Sequence, residues 1–454
     1  MASAAEQLAA NLNFGAFQRA TELQKRIGFT LIALVIYRLG TYVPIPGIDA
    51  VQFAAQFQQN SQGILGMFNM FSGGAVERMA IFALNVMPYI SASIIVQLLQ
   101  TVYPPWEKLK KEGGEAGRKQ LNQYTRYLTV VLALFQSFGT ALGMQSVALD
   151  PGPFFIVSTV VTLTGGTMFL MWLGEQITSR GVGNGISLLI FAGIVAVLPR
   201  SVWQLFQQAQ VGSISPLVLF GLLGMAIAVV LFIVFMERSQ RRLLIQYPKR
   251  QQGNRMVGGE SSFLPLKVNT AGVIPPIFAS SLLLVPTTIA QFFGTGEGKF
   301  AEGLQTFAAT LGYGQPLHLV LYAALIIFFC FFYTALVFNA RETSDNLKKS
   351  GAFIPGIRPG QQTGEYIDKV LTRLTLWGAI YVAGVCLLPE LLISQSRLGG
   401  SGLLLVFGGT SLLIVVVVAM DFMAQLQAHL MSHQYPGLLK QANLMGYGRG
   451  GAPQ

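Results

Sequence analysis

Charge is what this sequence has least of. Only 11% of its 454 residues are Asp, Glu, Lys or Arg, against about 25% in soluble globular domains. Cysteine and histidine are equally scarce. Cys330 and Cys386 lie in separate apolar stretches, and His318, His429 and His433 form no three-ligand motif. A disulfide framework and a metal centre are therefore not expected, nor is any cofactor. A P-loop, an HExxH helix, a nucleophile elbow and paired catalytic carboxylates are all missing. GVGNGIS at 181–187 has the glycines of a phosphate loop but not the following lysine, and it joins two apolar runs. An enzyme has no residues here to work with.

What fills the chain is hydrocarbon: 52% of residues are hydrophobic and the mean hydropathy is +0.54. The expected fold class is an all-α polytopic membrane protein. A 19-residue window marks ten spans, at 27–44, 79–100, 128–146, 154–174, 184–206, 216–236, 270–293, 317–338, 374–392 and 403–423. An even number puts both termini on one side. Of the 30 Lys and Arg, 25 fall in the N-terminal arm and the segments 101–127, 175–183, 237–269, 339–373 and 424–454. Positive charge stays in the cytoplasm, so both termini are expected there. Residues 1–24 carry a faint amphipathic pattern and are expected to lie at the interface, with no cleavable signal peptide. Five spans fall in 25–210 and five in 211–428, followed by a tail at 429–454. An odd-numbered half repeated once would be inverted in the membrane.

The stretch from Gly63 to Gln100 is unlike the rest. Ile64 to Phe71 is apolar but far shorter than the roughly 20 residues a spanning helix needs. Ser72-Gly73-Gly74 breaks it, and a full-length run follows from Met79 to Leu99. Backbone that stops partway into hydrocarbon is tolerated only inside protein or beside a water-filled cavity. The stretch therefore reads as a re-entrant stub within 64–74 joined to a spanning helix. Pro88 in span two and Pro275-Pro276 in span seven are expected to kink their helices. Small residues follow each: Ser91, Ala92 and Ser93, then Ala279, Ser280 and Ser281. Such faces allow close helix approach, which serves ordinary packing or a seam that parts.

Two long loops complete the inventory. Residues 237–269 hold Arg241, Arg242, Lys249, Arg250 and Arg255; residues 339–373 hold Arg358 in a tip with two Pro-Gly pairs. Their charge serves topology alone, or docks an acidic partner, RNA or protein. A secondary solute transporter is the competing class. It would place ionisable groups at mid-membrane, whereas Glu175, Glu237, Glu390 and Asp421 all fall at span ends.

Several stretches together resemble one family: PIPGID (44–49), MFNMFSGGA (67–75), IFALNVMPYISASIIVQLL (81–99), GTMFLMWLGEQITSRGVGNGIS (166–187), LPLKVNTAGVIP (264–275), RETSDNLKKSGAFIPGIRPG (341–360) and GGTSLLIVVVVAMDF (408–422). They are similar to the SecY/Sec61-alpha family, the channel subunits of the Sec protein translocon. The resemblance implies two clamshell halves in the bacterial cytoplasmic membrane, opening sideways to lipid at a gate that includes Pro88, Ser91, Ser93, Pro275, Ser280 and Ser281. It implies a plug formed by Ile64, Leu65, Met67, Phe68, Asn69, Met70 and Phe71. It implies a pore ring of Val86, Ile90, Ile190, Ile277 and Ile414. The implied partners are SecE and SecG, the SecA motor ATPase, the ribosome, signal peptides with their nascent chains, and membrane lipids. Lys249, Arg250 and Arg358 match family docking positions.

Overall fold

In the computed structural model a helix lies in each of the ten expected spans. In chain order the elements are α1 Thr21–Gly40, α2 Met87–Val102, α3 Pro104–Glu112, α4 Gly114–Gly143, α5 Pro153–Arg180, α6 Gly185–Gln210, α7 Pro216–Arg238, β1 Gln240–Gln246, β2 Arg250–Gln252, β3 Arg255–Val257, β4 Ser261–Lys267, α8 Ile274–Phe293, α9 Pro316–Val337, α10 Ala340–Lys349, α11 Gln361–Gln395 and α12 Gly409–Tyr447. All but α3 and α10 correspond to the ten expected spans. The structure describes residues 21–49, 52–53, 57, 69–212, 215–248, 250–252, 255–257, 261–293, 303, 306–307, 310–312, 315–395 and 409–447. Most of the expected N-terminal interfacial helix lies outside them. Six described helices are apolar and long enough to cross a membrane by length and composition alone.

Local chemistry sets the helix starts. Proline sits in the first turn of α2, α3, α5, α7 and α9, where its missing N–H costs no hydrogen bond. Asn184, inside the glycine-rich GVGNGIS, caps α6: its Oδ1 accepts from the N–H groups of Ile186 at 3.1 Å and Ser187 at 3.4 Å. The helices α4, α11 and α12 extend well beyond the apolar windows. A hydropathy window senses only the segment in hydrocarbon, whereas backbone hydrogen bonding continues a helix into water.

The expected kinks at Pro88 and Pro275-Pro276 are not where the sequence suggests. The α2 helix starts at Met87 rather than Met79, so Pro88 lies in its first turn; Pro275 and Pro276 likewise open α8. Proline cannot donate within a helix but is accommodated at its start, so here it ends irregular chain rather than bending a helix. The described helices carry interior prolines at Pro199, Pro286, Pro389 and Pro436.

The packing of the first five long helices recurs in the second five. The pairings α2–α4, α4–α5, α5–α6, α1–α6 and α2–α5 have counterparts in α8–α9, α9–α11, α11–α12, α7–α12 and α8–α11. The two halves thus share five pairings, and the first adds α1 against α5. The halves meet on one side through α6 against α12 and α7, and on the other through α8 against α2 and α4.

Close approach inside a bundle depends on glycine at a few positions. A methyl group on Gly166 of α5 would overlap the Ile81 carbonyl oxygen. Gly166→Ala should therefore destabilise the protein by about 1–3 kcal/mol. Thermal unfolding of the purified protein in detergent checks this, and an unchanged midpoint would contradict the packing.

Candidate functional site

The centre of the molecule is built around chain that is not helical. Residues 72–86 form successive turns, with Met79 (φ 46°) and Asn85 (φ 50°) in the left-handed region. That conformation costs a non-glycine residue roughly 1–2 kcal/mol, so the surroundings must hold it. They do so by satisfying the backbone. Ile45 N–H donates to Met79 O at 3.0 Å and Ile81 N–H to Val43 O at 2.9 Å, pairing the PIPGID segment with residues 79–81. Gly74 N–H reaches Asn69 O at 2.7 Å, and the Ser72 hydroxyl donates to the same carbonyl at 3.0 Å. The buried Asn85 side chain donates to Phe71 O at 2.6 Å.

Around this chain the five expected ring residues come together from four helices and both halves. Val86 precedes α2 and Ile90 lies one turn into it; Ile190 comes from α6, Ile277 from α8 and Ile414 from α12. Val86, Ile90, Ile190 and Ile414 are buried in one apolar cluster, and the half-buried Ile277 packs against it. Met70 and Phe71 belong to the same cluster. Of the expected plug segment, Asn69 to Gly74 is described, and its Met70 and Phe71 are buried in the apolar core that also holds the ring residues. Ile64, Leu65, Met67 and Phe68 lie outside the described residues.

At the α2–α8 seam, Ala92 and Ala279 are fully buried, and Pro88 and Pro275 are buried beside them. Ser281 Oγ donates to Ile277 O at 2.8 Å and sits 3.9 Å from Met87 Sδ, across the seam. Ser93 and Ser280 turn their hydroxyls back onto their own helices, to Ile90 O at 2.8 Å and Ile277 O at 2.9 Å. Ser91 is half-buried. Small side chains and inward-bonded hydroxyls leave the seam with little polar adhesion.

Sequence reading missed the polar groups that frame the plug segment. Arg38, Tyr42, Glu77, Arg78, Asn85 and Arg200 come from α1, the loop after it, the irregular chain and α6. Arg38 and Arg78 both donate to Gly73 O, at 2.6 and 3.0 Å. The one available signal was charge: Arg38, Arg78 and Arg200 are among the five basic residues outside the segments expected to be cytoplasmic.

The two long loops are folded, and folded together. Residues 240–267 were expected to be loop; instead β1 and β4 pair antiparallel over seven residues, and β2 pairs with β3 at the tip. The Gln246 and Phe353 backbones exchange two hydrogen bonds of 2.9 and 3.0 Å, tying this hairpin to the second loop. Leu243, Leu266, Ala340, Ile354, Ile367 and Val370 form a separate apolar core beneath. Arg241 and Arg242 on β1, and Arg358 at the other tip, are exposed on the resulting platform. Arg250 pairs with Val257 and Arg255 with Gln252 in the distal ladder, while Lys249 lies outside the described residues.

Among the described residues there is no group of three or more His, Cys, Asp or Glu that could hold a metal. Fold and site together define a class: a polytopic membrane protein of two like helical bundles that share a central apolar core. The SecY family model matches residues 80–423. The protein translocase subunit SecY of Vibrio cholerae is 58% identical over 94% of this chain and 96% of its own. The chain belongs to the SecY family. Two solved channels share the fold at low identity. One, described by the statement that the plug domain of the SecY protein stabilises the closed state and maintains a membrane seal, has a TM-score of 0.65 at 17% identity, covering 91% of this chain and 94% of that one. The other is Sec61 in the canine ribosome–channel complex from the endoplasmic reticulum, with a TM-score of 0.62 at 16% identity and the same coverage.

The shared core makes the platform a single unit. Ile354→Ala removes a buried side chain at a cost of about 2–5 kcal/mol, and should expose α10 to trypsin after Lys348 and Lys349. Unchanged cleavage kinetics would mean that the loops hold without that core.

Proposed function

We propose that this protein is the central protein-conducting channel of a bacterial translocon. It passes unfolded secretory polypeptides across the cytoplasmic membrane and releases apolar segments sideways into lipid. The observation that carries the reading is the gathering of Val86, Ile90, Ile190, Ile277 and Ile414 from both halves into one charge-free cluster with Met70 and Phe71. An aliphatic ring contacts every passing sequence weakly and so favours none. When empty it excludes hydrated ions, because water does not fill a narrow apolar constriction. Met70 and Phe71 beside it supply the seal.

The α2–α8 seam is the lateral gate in this reading, lined by Pro88, Ser91, Ser93, Pro275, Ser280 and Ser281. Apolar client segments leave through it because burial in lipid favours them by about 25 cal/mol per Å² of apolar surface. The channel is passive, and a SecA-type ATPase or the elongating ribosome supplies the energy. Arg241, Arg242, Lys249, Arg250, Arg255 and Arg358 dock these partners on the cytoplasmic platform, beside SecE and SecG in the membrane. Both termini face the cytoplasm, as the distribution of Lys and Arg favours. The canine channel's complex with a ribosome supports the ribosome as a partner.

Three measurements test this. A photoprobe on a stalled secretory chain should crosslink to the Ile277→Cys variant; a chain that never touches that position in an active preparation would misplace the pore. Ile277→Asn and Ile414→Asn should each raise resting ion leak in reconstituted membranes, and unchanged leak in both would reject the ring. Arg358→Glu should impair motor-driven translocation while leaving membrane insertion intact. Normal translocation by that variant would reduce the loop charge to a topology signal.

A further inference from the structure

Resting on that channel reading, we infer that Arg38 and Arg78 are positioning residues that fasten the described plug segment to the first helical half, so that parting of the halves is felt at Met70 and Ser411. The two guanidiniums converge on one oxygen. Arg38 Nη1 donates to Gly73 O at 2.6 Å and Arg78 Nη2 at 3.0 Å, so both lone pairs of that carbonyl are taken by cationic donors. Arg78 Nε also donates to Thr41 O at 3.3 Å, and Arg38 Nη2 to the Tyr42 hydroxyl at 2.7 Å. Both guanidinium carbons lie near the Tyr42 ring, 4.7 and 4.1 Å from its centroid. Two like charges this close repel each other. The aromatic ring and the shared carbonyl are what keep them together.

The other polar ties of this segment lead to the same half. Asn69 Oδ1 accepts from Glu77 N–H at 2.9 Å, its Nδ2 donates to Glu77 Oε2 at 3.4 Å, and Glu77 pairs with Arg200 of α6 at 3.4 Å. Asn85 holds Phe71 O. Gly193 of α6 leaves no room for a side chain beside Phe71 O and Gly73 N. Toward the second half, among the described residues, the segment has one polar contact: the Ser411 hydroxyl of α12 donates to Met70 Sδ at 3.2 Å, and sulfur is a poor acceptor. Cationic bonds on one side face a single thioether contact on the other. When α8 and α12 move away from α2 and α6, the segment stays with α1 and α6, and the Met70–Ser411 contact is the one that breaks.

The test uses the full chain in its native complex, reconstituted in planar bilayers with potassium chloride. Arg38→Gln should raise resting open probability about tenfold, the scale of a lost charged hydrogen bond, without changing the conductance of channels occupied by a stalled chain. Arg38→Lys, which keeps the charge but not the fork, should leak less than Arg38→Gln. If Ile277→Asn leaks and Arg38→Gln does not, the fastening is wrong and the channel reading survives. If neither leaks, the channel reading itself fails. A measurement on the unaltered protein guards against misfolded variants. Amide exchange at Gly73, Gly74 and Ala75 should be equally slow in resting and chain-occupied complexes, and loss of protection on occupation would overturn the inference.

Discussion

A peptide group in hydrocarbon must find its partner within the protein, and the centre of this molecule is arranged around that requirement. The helices meet it by themselves. The chain from Ser72 to Val86 does not, because it turns repeatedly and passes through left-handed conformations at Met79 and Asn85. Its N–H and C=O groups are satisfied by the PIPGID segment, by its own turns and by the Asn85 amide. Each of these partners removes a penalty of several kcal/mol that an unpaired buried group would carry. This irregular chain places Val86 at the head of α2, and Met70 and Phe71 just before it are buried in the same apolar core.

The same constraint explains why α2 is short. At 16 residues it covers about 24 Å, less than the roughly 30 Å hydrocarbon core. The irregular chain completes the crossing. It can do so only where other helices wrap it, and this places the site between the bundles rather than within one. Each bundle is held by the same five pairings, packed through glycines such as Gly166. Between the bundles, where α2 meets α8, the Ser281 hydroxyl makes a polar contact with Met87 Sδ.

The outer platform follows different physics. There water satisfies backbone groups, and order has to come from buried side chains. In β1, Leu243 and Ile245 are buried while Arg242 and Leu244 are exposed, the period of two that a half-buried strand requires. Joined to Ile354, Ile367 and Val370, they turn two loops distant in sequence into one surface. The run of Leu243, Leu244 and Ile245 in QRRLLIQ hides that alternation, and seven residues do not reveal a hairpin whose partner strand lies some twenty residues away.

The helices, their number, the class of membrane protein and the aliphatic character of the centre follow from the sequence alone. Each rests on a local property, the run of apolar side chains needed to cross a bilayer. Motif resemblance also named Val86, Ile90, Ile190, Ile277 and Ile414, which the structure brings into one cluster. What only the tertiary structure decided are the relationships made across the chain. Pro88 and Pro275 begin helices rather than bend them, because irregular backbone elsewhere found partners. Arg38 and Arg78 share the Gly73 carbonyl because α1 and residues 72–78 meet in space. A hydropathy window cannot see a hydrogen bond between residues 35 positions apart, and such bonds decide where a chain that is not helical can rest inside a membrane.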